Sequence, residues 1–267
     1  MSKMKETTVI TAAETIQNGF SLISNEKLLR LYATMLKCRM IHERVRILIK
    51  QKAASGRGLA AQNASLGMEA ATVGVTLDLL PEDALLPHPG DYIPFFIRGL
   101  EVRALLNTLL EPSTAKTTPS AQLKLATDAA MLNKVSGNKK IAVVISNRDT
   151  NAGPWLKSLA YAEAHDLPIL FLSWNHTPQK KAHRIPAVTV DGNDVVAVYR
   201  VASEAIAHAR IANGPTLIEC RTDASHHEDP IENMEKYLRR KGKFSEEWKR
   251  AEGARFKKEL DKAAARA

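Results

Sequence analysis

Two short apolar runs, Ile141-Ala-Val-Val-Ile145 and Leu167-Pro-Ile-Leu-Phe-Leu172, lie about one helix apart in the chain. Runs this short, β-branched and continuously apolar suit strands buried on both faces of a parallel sheet. The stretch from Trp155 to His165 between them is long enough for a crossover helix. A βαβ unit of this kind offers ligands the carboxyl ends of its strands, here Ser146-Asn147-Arg148-Asp149 and Ser173-Trp174-Asn175-His176.

The same patterning predicts the neighbouring elements. Ser24-Asn25 can cap a helix over about 26–51, with Leu28, Tyr32, Met35, Leu36, Met40 and Val45 broadly on one face and Arg39, Glu43 and Lys50 toward water. An Ala-rich helix is predicted from Ala64 to Leu80, where Ala70, Ala71 and Gly74 permit close packing or a subunit contact. A short strand at Ala84 to Leu86, a helix from Glu101 to Leu110, a loop over 111–120 rich in hydroxyl residues and a helix from Gln122 to Lys134 follow. Beyond the central unit come a strand at Ala187 to Val190, a helix from Val195 to Ala212 capped by Asp194 and stopped by Asn213-Gly-Pro215, and a strand from Thr216 to Arg221. Alternation of this kind predicts a single α/β domain whose mostly parallel sheet is covered by helices on both faces.

Composition narrows the function classes. At 267 residues, 45% hydrophobic and 25% charged, the chain has the profile of a globular protein with a large core. Its two cysteines, Cys38 and Cys220, lack the spacing of a metal site or a disulfide framework, which predicts a reduced, cytoplasmic setting. No run approaches the roughly 20 apolar residues of a membrane span. The net charge is +9, of which the tail from Lys236 to Ala267, with 12 Lys/Arg and 5 Asp/Glu, carries +7. Without interleaved aromatics or a nucleic-acid motif, that tail reads as a solvated helix packed through Trp248, Phe256 and Leu260, and no nucleic-acid partner is expected. The expected organisation is an N-terminal arm over 1–24, partly disordered, an α/β domain over 25–235 and a basic helical tail over 236–267.

Several stretches, in order and at matching intervals, resemble the alpha subunit of thiamine diphosphate-dependent 2-oxo acid dehydrogenases. These are Leu28-Leu-Arg-Leu-Tyr-Ala-Thr-Met-Leu36 with Glu43-Arg-Val45, Gly67-Met-Glu-Ala-Ala-Thr-Val-Gly74, Leu167-Pro168, Val190-Asp-Gly-Asn-Asp-Val195 and Gly214-Pro-Thr-Leu-Ile-Glu219. Asp229-Pro-Ile-Glu232 through Tyr237-Leu238, Gly242 and Ser245-Glu-Glu247 continues the likeness. The resemblance implies a thiamine diphosphate-binding type of fold, a cofactor bound between alpha and beta subunits, and a beta-type partner in a heterotetramer, with a homo-oligomer as the other arrangement.

The chemistry implied by the resemblance is largely missing. The family binds its cofactor through Gly-Asp-Gly at one strand end and Asn-Asn at the next, the aspartate serving a divalent metal that neutralises the diphosphate. Here Ser146, Asn147 and Arg148 occupy the first set and Asn175 and His176 the second, so only Asn175 matches. Asn147 removes a formal charge, and at roughly 5 Å and a dielectric near 20 an arginine repels a divalent cation by about 6–7 kcal/mol. The family's Tyr-Arg-Asp-His-Gly loop reads Pro89-Gly90-Asp91-Tyr92-Ile93, its glycine-rich connection is shortened to 111–120, and its Gly-His-Ser loop is collapsed into Ala224-Ser-His-His227.

Adjacent His226 and His227 point to opposite sides of an extended chain, so His226-His227-Glu228-Asp229 reads as a loop leading into a helix, not a metal site. The sequence motif around Ser146 supplies no base to activate it, which argues against a nucleophile. The sequence therefore predicts no catalytic residue, no metal and no bound cofactor, in an impaired alpha-type subunit with a structural or regulatory role. Two alternatives stand beside it. One is an active thiamine diphosphate-dependent dehydrogenase that decarboxylates a 2-oxo acid and passes the acyl group to lipoamide. The other is a metal-free anion-binding protein in which Arg148 replaces the metal.

Overall fold

The computed structural model describes residues 23–54, 66–110, 118–147, 152–175, 185–212, 214–221 and 229–265. The N-terminal 22 residues, the 111–117 loop, Arg148, His176, His226 and His227 lie outside them. Among the described residues, five strands form one sheet: β1 (Ala84–Leu86), β2 (Ala142–Asn147), β3 (Ile169–Asn175), β4 (Ala187–Asp191) and β5 (Thr216–Arg221). They are ordered β1-β2-β3-β5-β4, and every neighbouring pair is parallel.

Alternation along the strands divides the core in two. Ala142, Val144, Ile169, Phe171 and Leu217 share one cluster with Leu123, Ala126, Ala130, Trp155, Leu159 and Ala162. The helical members come from α5 (Pro119–Val135) and α6 (Ala152–Ala164). Val143, Ile145, Leu170, Leu172, Ile218 and Cys220 share the other with Ala71, Val75, Val198, Ala202 and Ala209, from α2 (Glu69–Thr76) and α7 (Val195–Ala212). Side chains alternate faces along a strand, so a sheet covered on both sides shows an unbroken apolar run in sequence. That explains the two apolar stretches and confirms the α/β expectation.

A third cluster lies outside α2. There α1 (Asn25–Ala54) packs with α4 (Val102–Leu110), α8 (Pro230–Arg240) and α9 (Glu246–Ala264), burying Leu28, Leu31, Tyr32, Met35, Leu105, Leu238, Phe256 and Leu260. The short α3 (Ile93–Ile97) adds Ile93. Tyr32 stacks on Trp248 at 5.8 Å between ring centroids, and its hydroxyl donates to Glu235 Oε1 at 2.6 Å.

Two expectations change here. Of the helix expected over Ala64 to Leu80, residues 64 and 65 lie outside the described residues and the rest is helical only over Glu69–Thr76, because Gly67 takes φ +82, outside helical geometry, and the chain turns again after Thr76 toward β1. All eight residues of α2 are buried within this chain, so its small residues serve packing inside the subunit. A Cβ on Gly74 would stand 2.7 Å from Val198 Cγ1 and 3.1 Å from the Tyr199 backbone nitrogen, so the α2–α7 contact needs a glycine. Arg39, expected to face water, is three-quarters covered and tied to two carboxylates.

Asp83 organises the amino edge of the sheet. Its carboxylate is buried and accepts from the backbone nitrogens of Leu80 (2.8 Å) and Ile141 (3.1 Å) and from Arg210 Nη1 (2.9 Å). Arg210 Nη2 also pairs with it, and Arg210 Nη1 reaches the Lys139 carbonyl at 2.9 Å. Three separate segments are thereby joined below β1 and β2.

Candidate functional site

Connections locate the crevice where such sheets bind ligands. From β1 to β2 to β3 the order advances, with α5 and α6 on one face, whereas β4 to β5 steps back through α7 on the other. The reversal falls between β3 and β5, and ligands of open parallel sheets bind beyond the strand ends at such a point.

At that edge the register brings polar positions together. Ser146 pairs with Ser173, Ser173 with Glu219, and Glu219 with Thr189, so one rung crosses four strands. Ser146 is buried, and the wholly buried Ser173 hydroxyl has no partner among the described residues. Thr189 Oγ1 donates to Glu219 Oε2 at 3.4 Å. Two residues further on, Asn175, Arg221 and Asp191 stand in register. Arg221 is exposed, and Asp191 Oδ1 accepts from the Asn193 backbone nitrogen at 2.9 Å as the chain turns toward α7.

The first strand of the pair runs further than its apolar stretch. β2 continues through Ser146 and Asn147, with Asn147 opposite Trp174, and β3 continues through Asn175. Thus Ser146 and Asn147 continue β2 opposite Ser173 and Trp174, on successive and so opposite-facing positions, and Asn175 ends β3, while Arg148 and His176 follow in sequence outside the described residues. Trp174 is buried in the core shared with α7.

Gln122 closes the neighbouring gap. It lies in the first turn of α5, which Thr118 caps by accepting from the Ala121 nitrogen at 3.2 Å. Its Nε2 donates to the carbonyls of Leu86 (2.7 Å) and Ile145 (2.9 Å), bridging the tips of β1 and β2, and no described residue pairs with its buried Oε1. In the chain after β1, burial pushes the His88 imidazole below its usual pKa, and Nδ1 lies 3.0 Å from the Pro89 carbonyl. Asp91 is buried and accepts from the Ile93 nitrogen at 3.1 Å, turning the chain into α3.

Gln122, Glu219 and Arg221 were not among the sequence-derived site residues. Arg221 could have been found by carrying strand alternation to the last position of its predicted strand. The placement of Gln122 depends on a contact 36 residues away. Among the described residues, no group of three or more His, Cys, Asp or Glu side chains could hold a metal ion. No described helix is long and apolar enough to cross a membrane.

Comparison with known proteins gives related matches. The alpha subunit of acetoin:2,6-dichlorophenolindophenol oxidoreductase from Bacillus subtilis (strain 168) is 26% identical over 245 residues, covering 77% of this chain and 72% of the relative. The alpha subunit of the Acholeplasma laidlawii pyruvate dehydrogenase E1 component is 26% identical over 235 residues, covering 68% of each chain. The 2-oxoisovalerate dehydrogenase alpha subunit of Bacillus subtilis (strain 168) is 27% identical over 242 residues, covering 74% of this chain and 71% of the relative. In the first of these, 77% of 267 residues is about 206, fewer than the 245 aligned positions, so the relative carries internal segments that this chain lacks. The family model described as "Dehydrogenase E1 component" matches residues 32–223, well over half of the chain, and the protein belongs to that family.

Proposed function

We propose that this chain is an alpha-type subunit of a 2-oxo acid dehydrogenase E1 component that has lost its cofactor chemistry. It serves as a structural or regulatory member of an assembly with a beta-type subunit, in the heterotetrameric arrangement that the family resemblance implies. The alpha-subunit names of its relatives support the first half of this proposal.

The donor set at the tip of β2 carries the second half. A magnesium diphosphate wants an anionic oxygen ligand and close backbone approach. The sequence positions that would supply them by resemblance hold Ser146, the uncharged Asn147 and the cationic Arg148, and those of the second motif hold Asn175 and His176. In the sequence, two glycines of the family motif are replaced by residues with side chains, and its aspartate by a neutral amide followed directly by a cationic residue. These residues do not fit thiamine diphosphate with magnesium. The shortening relative to the acetoin relative points the same way, because it removes chain length from within the shared region.

Titration calorimetry of the purified chain, alone and co-purified with a beta-type subunit, tests the proposal. No binding of thiamine diphosphate with magnesium is expected below millimolar concentration. Micromolar, magnesium-dependent binding would return the chain to the active-enzyme class.

A further inference from the structure

We infer that α5 carries a docking surface for a second copy of this chain. Ala121, Leu125, Asp128, Leu132 and Val135 follow one another at spacings of four, three, four and three, and all five are exposed. Leu125, Leu132 and Val135 are 53%, 66% and 78% exposed. The inward face of the same helix is already filled, since Leu123, Ala126 and Ala130 are buried against the sheet. A helix apolar on both faces is normally covered on both, and alternating four-three spacing is the seam along which two helices pack.

Self-complementarity selects the occupant. When two α5 helices run antiparallel about a two-fold axis at Asp128, Leu125 of each copy meets Leu132 of the other, and Val135 meets Ala121. Within one copy Lys124 Nζ already lies 2.6 Å from Asp128 Oδ2, and both side chains are more than half exposed. In the pair, two central carboxylates sit among two ammonium groups, so the charges at the axis balance. An isologous contact needs such a patch, one that satisfies itself under a two-fold. A contact made by one 17-residue helix from each copy is small, which gives a weak, concentration-dependent dimer. This inference does not depend on the loss of cofactor chemistry.

Sedimentation velocity of the full chain from about 1 to 100 μM should show a shift from monomer to dimer. Leu132→Glu and, separately, Leu125→Glu should remain monomeric throughout with an unchanged thermal midpoint, since both positions face solvent in the monomer. Asp128→Lys should weaken the dimer at least about tenfold by placing four cations at the axis, and Lys124→Asp combined with Asp128→Lys should restore it. A wild-type chain that stays monomeric, a dimer that survives both leucine substitutions, or a stripe needed only for binding a beta-type subunit would each overturn the inference.

Discussion

Arg39 grips Glu69 through two nitrogens, Nε to Oε1 at 2.7 Å and Nη2 to Oε2 at 3.1 Å. The Glu69 side chain has no exposure, and the third Arg39 nitrogen reaches Asp229 Oδ2 at 2.6 Å. One guanidinium therefore joins α1, α2 and the cap of α8. Removing it leaves a fully buried carboxylate without its counter-charge, so Arg39→Ala should lower stability by about 3–5 kcal/mol. Asp229→Asn, at a partly exposed partner, should cost only about 1 kcal/mol. Urea unfolding of both variants checks the order.

Acid should weaken the same joint. Burial opposes ionisation of Asp229, but the hydrogen bonds from Arg39 and the Ile231 nitrogen outweigh it and hold the carboxyl below its usual pKa. Asp78 behaves alike, with burial outweighed by hydrogen bonds from Lys27 and Tyr199. A depressed folded-state value stabilises fully above the unfolded value near 3.9 and less as pH falls through the folded one. Stability measured from pH 6 downward should therefore hold to about pH 4 and then drop, less steeply in Asp229→Asn.

Gly74→Ala is expected to destabilise although alanine favours helix by about 1 kcal/mol. The added methyl meets Val198 Cγ1 at 2.7 Å and the Tyr199 backbone at 3.1 Å, and forcing α2 and α7 apart costs about 1–3 kcal/mol. Combined with Val198→Ala, the loss should be smaller than the two single losses together. Thermal unfolding of the four proteins gives the coupling, and full additivity would count against the contact.

How much of this could be read in the chain depended on the range of the determining interaction. Val195–Ala212 and Thr216–Arg221 match their expected bounds because Asp194 caps the first, accepting from the Val196 and Ala197 nitrogens, and Gly214-Pro215 separates the two. β2 exceeds its apolar run because Ser146 and Asn147 are held by the register with Ser173 and Trp174, which local polarity does not reveal. Arg39 looked solvated because its partners lie 30 and 190 residues away. Of the site, the two strand tips were legible as pattern, whereas the rung reaching Glu219 and Arg221 required the strand order.

Asp83→Asn should cost about 3 kcal/mol, because Arg210, 17% exposed, loses its counter-charge and the amide cannot replace the carboxylate as acceptor at every contact. The measurement is again urea unfolding, with Arg210→Met as the partner variant for a double-mutant cycle.

The Asp83 knot lies at the amino edge of the sheet, and the tips of β2 and β3 lie at the carboxyl edge. Anchorage and the candidate site therefore occupy opposite rims of one scaffold, and substitutions at one rim do not touch the hydrogen bonds of the other. The carboxyl rim can therefore change residue by residue while the clamp that joins Leu80, Ile141 and Arg210 is kept.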